Sequence, residues 1–91
     1  MHLALLTVLV TTGAAFGQNG SCRLTYDRFR EIKTGMTLAD VERALGCPGK
    51  EQVRSETPGT IVESWIWESG MSNVMVQLTN GKLTMKAQAG L

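Results

Sequence analysis

The stretch SNVMVQLTNGKLTMKAQ, residues 72–88, decides the fold, because two alternating apolar runs flank an Asn80-Gly81 pair. Asn-Gly between such runs is the strongest short signal for a β-hairpin with a two-residue turn. It predicts strands over residues 72–79 and 82–88. The predicted facing pairs are Leu78 with Leu83, Val76 with Met85 and Val74 with Ala87. All six side chains are apolar and share one face, so we expect that face to cover a core.

Two more strands are predicted before the hairpin. Residues 60–67 form one, and residues 51–56 form a short polar edge strand that ends at the Thr57-Pro58-Gly59 break. A four-residue loop over residues 68–71 would pair Trp65 with Val74 and place Trp65 and Trp67 on the core side. A three- or five-residue loop would turn both tryptophans outward. We expect the tryptophans to face the core.

The direction of the tryptophans decides which side chains the other face of the sheet presents to a partner. With the tryptophans inward, the candidate partner surface consists of Val62, Ile66 and Met75, surrounded by Ser64, Asn73, Gln77, Thr84 and Lys86. With the tryptophans outward, Trp65 and Trp67 form the surface instead, as aromatic anchors of the kind common in protein interfaces.

Two short helices are predicted at the start of this domain. Thr25 caps the first, which ends at Gly35, and Thr37 caps the second, which ends at Gly46. Asp40 falls in the first turn of the second helix, where a negative charge is favourable. The apolar face of the first helix consists of Tyr26, Phe29 and Ile32. The expected fold is α+β, with two short N-terminal helices packed on one face of a three- to four-stranded antiparallel sheet.

The charged residues divide the 91-residue chain into two parts. All nine Lys and Arg and all eight Asp and Glu follow Cys22, whereas residues 3–15 are almost continuously apolar. A run of about 13 apolar residues fits a signal-peptide core and is shorter than the ~20 that span a bilayer. Small residues at Ala15 and Gly17 resemble a cleavage site. We expect residues 1–17 to be a signal peptide and residues 18–91 to be one periplasmic or secreted domain; the alternative is a short buried or anchoring helix.

Cys22 and Cys47 are the only two cysteines. In an oxidising compartment such a pair predicts one disulfide, and a closed loop of about 26 residues would contribute about 3.5 kcal/mol to stability. The alternative is a lipid anchor on Cys22, which would make the protein an outer-membrane lipoprotein and leave Cys47 unpaired. Asn19 does not fit the aliphatic position of a lipidation motif. We expect membrane contact only if Cys22 is lipidated.

The chain offers little for catalysis. Its only histidine is His2, in the predicted leader, so a Ser-His-Asp or Cys-His pair is not expected in the mature domain. No spacing is typical of a metal or nucleotide site, and we expect no cofactor. The net charge of +1 gives no reason to expect nucleic acid as a partner. Glu63 and Glu68 are the carboxylates nearest the tryptophans, and surface residues are the simpler interpretation. We expect a protein that binds another protein and is not an enzyme.

Four segments in this order are similar to one group of small exported domains: LTYDRF at residues 24–29, IKTGMT at 32–37, SWIW at 64–67 and KAQAGL at 86–91. They closely resemble the domains related to beta-lactamase inhibitor protein (BLIP) and to the SmpA/OmlA, BamE-like lipoproteins. Within that group the chain looks most like a branch that shares the segment F-x-x-I-x-x-G-M-T. The resemblance covers about residues 22–91.

The resemblance implies two helices on one face of a curved antiparallel sheet and a partner-binding, non-catalytic role. BLIP relatives inhibit enzymes, and BamE-like relatives support the assembly of outer-membrane barrels. BamE-like proteins carry a clear lipidation motif, which residues 19–22 lack, and BLIP has two such domains where this chain has one. We predict a binding module of the cell envelope that resembles BamE-like accessory proteins. The alternative is an inhibitor of an extracellular or periplasmic hydrolase.

Overall fold

The computed structural model describes residues 22–91, which form two short helices followed by a four-stranded antiparallel sheet. The signal peptide predicted for residues 1–17 lies outside the described residues. The elements are α1 (Tyr26–Arg30), α2 (Leu38–Leu45), β1 (Lys50–Thr57), β2 (Thr60–Ser69), β3 (Ser72–Thr79) and β4 (Lys82–Ala89). The strands lie in the sheet in chain order, each antiparallel to the next. The predicted α+β fold is confirmed.

Helix α2 begins and ends at the predicted residues. The Thr37 hydroxyl accepts a hydrogen bond from the Asp40 N–H at 3.2 Å, and the Asp40 carboxylate accepts one from the Thr37 N–H at 3.2 Å. This reciprocal capping satisfies two backbone donors. The bond from the Thr37 N–H, supported by the Thr37 hydroxyl and Arg43, lowers the pKa of Asp40. The ionised Asp40 carboxylate therefore stabilises the start of α2 at neutral pH. This stabilisation is lost when the carboxylate is protonated, as the pH falls below the usual range of an aspartate. Gly46 ends the helix with φ 87°.

Helix α1 is shorter than predicted. Thr25 is its N-cap, as expected, but the helix ends at Arg30. Ile32 and Gly35 therefore lie in the linker to α2, and the predicted continuous apolar face is interrupted. Ile32 is buried from the linker, whereas Tyr26 is 51% exposed. A five-residue helix has too few internal hydrogen bonds to be stable alone, so packing and the linker contacts hold it in place.

The linker between the helices forms backbone hydrogen bonds with the edge strand β4 at one residue, Leu83. The Gly35 N–H donates to the Leu83 carbonyl oxygen at 2.9 Å, and the Leu83 N–H donates to the Met36 carbonyl oxygen at 2.8 Å. Gly35 has φ +94°, a conformation that glycine adopts without strain. The outer edge of β4 is thus paired at Leu83.

The β3–β4 hairpin forms as predicted, but its register changes after the first pairs. Leu78 faces Leu83, as expected; Thr84 is then an extra residue in β4, which forms a β-bulge. Beyond it the facing pairs are Gln77 with Met85, Val76 with Lys86 and Val74 with Gln88. The predicted pairs Val76–Met85 and Val74–Ala87 are wrong. Because a bulge redirects the side chains that follow it, Met85 turns away from the helices and Lys86 turns toward them.

Lys86 connects β4 to the end of α1. Its Nζ donates to the carbonyl oxygens of Ile32 at 2.9 Å and Phe29 at 3.1 Å, and it lies 4.4 Å from the centroid of the Phe29 ring. Carbonyls at the end of a helix lack intrahelical partners and attract positive charge. The bulge therefore places the Lys86 ammonium next to two carbonyl oxygens of the helical layer that accept hydrogen bonds from it.

Lys86→Met is expected to lower the free energy of unfolding by about 2 kcal/mol, because it removes two charged hydrogen bonds and a cation–π contact. The matched control is Lys82→Met, since Lys82 lies on the same strand but faces Thr79 on the other side of the sheet. Urea unfolding measures the free energy of unfolding of both variants. Equal midpoints for the two variants would contradict the connecting role of Lys86.

The turn between β2 and β3 has two residues, 70–71, instead of the predicted four-residue loop. Trp67 therefore faces Val74, and Trp65 faces Val76. The predicted pair Trp65–Val74 is wrong by two positions. Since a shift of two residues leaves a side chain on the same face, the prediction that the tryptophans face the core is confirmed.

The core lies between the helices and the helix-facing side of the sheet. Its buried residues are Leu24, Ile32, Val41, Leu45, Cys47, Trp67, Val74, Val76, Leu78 and Leu83. Trp67 is the largest of them, 2% exposed, and its indole N–H donates to the Cys47 carbonyl oxygen at 2.9 Å. Gly49 lies against the indole, because a Cβ there would come within 2.5 Å of the ring.

The predicted disulfide joins Cys22, before α1, to Cys47, after α2. Their Cα atoms are 5.5 Å apart, a usual separation for bridged cysteines. The sulfur of Cys22 is bonded in this structure, so it is not available for the lipid anchor considered as the alternative.

Candidate functional site

Both helices lie on one side of the sheet, and the opposite side is open to solvent across residues 22–91. We call this side the outer face. Its central residues are Val53, Val62, Ser64, Ile66, Met75, Gln77, Met85 and Ala87. Three of them, Val53, Met75 and Met85, are exposed large hydrophobic side chains.

The structure places all three predicted surface residues on the outer face. Ile66 faces Met75 across β2 and β3, and Val62 faces Thr79 on the same pair of strands. The alternative surface residues, Trp65 and Trp67, lie on the core side. Lys86, predicted to lie beside the surface residues, is on the helix-facing side.

Three outer-face residues, Val53, Met85 and Ala87, were missed by the sequence interpretation. Met85 is 61% exposed and reaches the outer face through the bulge at Thr84, whereas strict alternation placed it in the core. Val53 faces Ser64 from the edge strand that the sequence predicts to be polar. A valine within that polar run was the available signal for Val53, whereas the alternation along β4 carries no signal for the bulge.

Met75 and Met85 lie close to each other in the centre of the outer face. Together with Ser64, Gln77 and Ala87 they line a shallow depression. Met75 is 41% exposed. Methionine is flexible and polarisable, so such side chains adapt to the surface of a partner. The depression is an apolar, deformable surface, and its two polar side chains, Ser64 and Gln77, can form hydrogen bonds with a partner.

The centre of the outer face carries no charged residue among those described. Lys50, Glu68 and Lys82 lie at the strand ends. Most charges of β1 point to the other side, where Arg54 pairs with Glu51, Glu56 and Glu63. The hydrogen bond to Glu56 raises the pKa of Arg54. An apolar centre with charges kept to the margin is typical of the core of a protein interface.

Met71 projects from the β2–β3 turn at one end of the sheet and is 94% exposed. The turn is held by Ser72, whose hydroxyl donates to the Gly90 carbonyl oxygen at 3.0 Å. Gly90 fits closely here, since a Cβ would lie 2.9 Å from the Met71 carbonyl oxygen. The apolar side chain is therefore displayed on an anchored turn beside the outer face.

The two carboxylates considered for acid–base chemistry lie on opposite faces of the sheet. Glu63 is bonded to Arg54 on the helix-facing side, whereas Glu68 faces Asn73 on the outer face. They cannot act on one substrate atom together. Within residues 22–91, no three His, Cys, Asp or Glu side chains are grouped to hold a metal ion.

None of the helices in residues 22–91 has the length and apolar character needed to cross a membrane.

The comparison with known proteins identifies one family. The family model of the beta-lactamase inhibitor (BLIP) matches residues 25–91, which include both helices and all four strands. No curated protein and no solved structure matches the chain. The match confirms the BLIP part of the resemblance, whereas the BamE-like part stays a prediction. Because the matched residues make up most of the sequence, the chain belongs to the beta-lactamase inhibitor (BLIP) family.

Proposed function

We propose that this chain is a non-catalytic protein-binding module that inhibits an extracellular or periplasmic hydrolase through its outer face. The observation that carries the proposal is the exposed, uncharged apolar centre of that face in a member of the BLIP family. The family is named for inhibiting beta-lactamase, so a beta-lactamase is the first target to test.

For inhibition of this kind the outer face has to cover the active site of the target, and no reaction has to be catalysed. Ile66, Met75 and Met85 would lose their water against the rim of the target's active site, and the sheet would then exclude the substrate. Ser64 and Gln77 would supply hydrogen bonds beside these apolar contacts. The disulfide and the two helices lie on the other side of the sheet, where they keep it rigid and limit the entropy lost on binding.

The proposed place of action is outside the cytoplasm. The Cys22–Cys47 disulfide supports it, because such bridges persist mainly in oxidising compartments. The apolar run at residues 3–15 supports it as a signal peptide.

Met75→Lys is expected to weaken inhibition about a hundredfold, because it would place an unpaired ammonium in the desolvated centre of the interface. The control is Tyr26→Lys, which adds the same charge at an exposed apolar residue of α1. Inhibition constants are measured against a panel of purified beta-lactamases and other extracellular hydrolases. Thermal unfolding checks that both variants fold.

Equal inhibition by the Met75 variant and the wild type would contradict the assignment of the outer face. If no hydrolase is inhibited, and affinity capture from envelope extract recovers barrel-assembly components, the inhibitor function is wrong and the BamE-like role is correct.

A further inference from the structure

We propose that Met75 and Met85 form a reversible oxidation site that converts the centre of the outer face from apolar to polar. Its effect on a partner rests on the proposed function, since oxidation would release a hydrolase bound to this face. The oxidation itself can be tested without any partner.

The two thioethers occupy one site. Met75 faces Ala87 and Met85 faces Gln77, so the methionines are diagonal neighbours across β3 and β4. They line the same depression and are 41% and 61% exposed. The bulge at Thr84 creates this arrangement, because without it Met85 would point into the core. Both cysteines are bridged, so thioethers are the accessible reduced sulfur in residues 22–91.

The oxidant is a peroxide such as hydrogen peroxide. The sulfur attacks one peroxide oxygen with a lone pair, an S–O bond forms and the O–O bond breaks. The transferred oxygen gives its proton to the departing hydroxide, so the products are a sulfoxide and water. Each sulfur loses two electrons and each peroxide gains two. Methionine sulfoxide reductases reverse the change with two thiols as the reductant: the sulfoxide oxygen leaves as water and the thiols become a disulfide.

The oxidised face would be polar in a way that opposes partner binding. A sulfoxide oxygen accepts hydrogen bonds, and Ser64 and Gln77 line the depression with a hydroxyl and an amide that can donate them. An apolar partner surface would have to remove water from the sulfoxides without replacing its hydrogen bonds, which is unfavourable. Oxidation therefore disfavours the complex and leaves the free protein folded.

The chain contains two internal references for the reaction. Met71, on the β2–β3 turn, is 94% exposed and lies outside the depression. Met36 is half-buried, packs against the core, and its sulfur accepts a hydrogen bond from the Lys33 N–H at 3.4 Å. Accessible thioethers react faster than protected ones. Met71 is therefore the reference for fast oxidation by peroxide, and Met36 is the reference for slow oxidation.

The first experiment treats the full chain with hydrogen peroxide and follows oxygen addition at each methionine by peptide mass analysis. We expect Met75 and Met85 to react within about threefold of the rate of Met71 and about tenfold faster than Met36. Retention on a phenyl matrix is expected to fall on oxidation and to recover after treatment with sulfoxide reductases. The variant Met75→Leu/Met85→Leu still contains the exposed Met71, so its retention is expected to fall by a smaller amount than that of the wild type. Rates as slow as that of Met36, or unchanged retention of the wild type, would overturn the proposal.

The second experiment uses a hydrolase identified by the inhibition assay. Oxidised wild type is expected to bind it about tenfold or more weakly. Met75→Leu/Met85→Leu should resist peroxide, whereas Met71→Leu should stay sensitive. Equal losses in the wild type and the double leucine variant would refute the switch. If no hydrolase is inhibited, the proposed function fails, and the retention experiment still decides whether the oxidation site exists.

Discussion

Replacing Trp67 with alanine is expected to lower the free energy of unfolding by about 3–5 kcal/mol. The side chain is 2% exposed and packs against Gly49 in the middle of the core. The change also leaves the Cys47 carbonyl oxygen without the indole N–H that it accepts from, which adds the penalty of a buried unsatisfied acceptor. A domain of this size has only about 5–10 kcal/mol of stability, so much of it would be lost.

The matched control is Trp65→Ala, because Trp65 lies on the same strand and the same side of the sheet but is only half-buried. Its indole N–H makes a longer bond, 3.4 Å, to the partly buried Glu63 carboxylate. Urea unfolding should show a clearly smaller loss for Trp65→Ala. If Trp67→Ala leaves no folded protein, Trp67→Phe tests the same packing with a loss of about 1–2 kcal/mol. A greater loss at Trp65 than at Trp67 would refute this account of the core.

Removing the disulfide by Cys22→Ala/Cys47→Ala is expected to lower the free energy of unfolding by about 3.5 kcal/mol, from the increased entropy of the unfolded chain. The bridge joins two cysteines that are 25 positions apart in the sequence, and the segment between them includes both helices. The helical layer should therefore lose the most order. Hydrogen exchange is expected to accelerate in α1 and the linker more than in β3.

Reduction provides the comparison for this variant. Adding a reductant to the wild type should move its urea midpoint to that of the alanine variant, which the reductant itself should leave unchanged. An alanine variant as stable as the oxidised wild type would show that the bridge does not stabilise the fold.

The sequence predicted those parts of the fold that depend on local chemistry. Asn80-Gly81 set the hairpin turn, and Thr37 and Gly46 marked the ends of α2, because each acts on backbone groups a few residues away. The tryptophans were assigned to the correct face although the loop length was wrong. An error of two residues in register does not change the face of a strand.

The sequence interpretation failed where distant residues decide the local structure. Strict alternation of Leu83, Met85 and Ala87 predicted a regular strand. The structure instead has a bulge that brings Lys86 to carbonyls more than fifty residues earlier. No local pattern encodes those carbonyls, since they become available only because α1 stops at Arg30. Helix α1 was predicted too long for a related reason: the linker pairs with β4 instead of continuing the helix.

The same separation between local and distant effects applies to the candidate site. Val62, Ile66 and Met75 could be placed on one surface from alternation along β2 and β3 alone. Met85 could not, because its direction depends on the bulge. The surface was therefore predicted in part, and the part contributed by β4, Met85 and Ala87, required the tertiary structure.

The alternation of outer-face and core residues along the same strands has a consequence for how such a protein can diversify. Ile66 lies between Trp65 and Trp67, and Met75 lies between Val74 and Val76, yet each belongs to a different surface from its neighbours. Substitutions on an exposed sheet face usually change stability by less than about 0.5 kcal/mol. Recognition can therefore change residue by residue while the core-facing residues of β2 and β3 stay the same, so one scaffold could acquire new targets without a new fold.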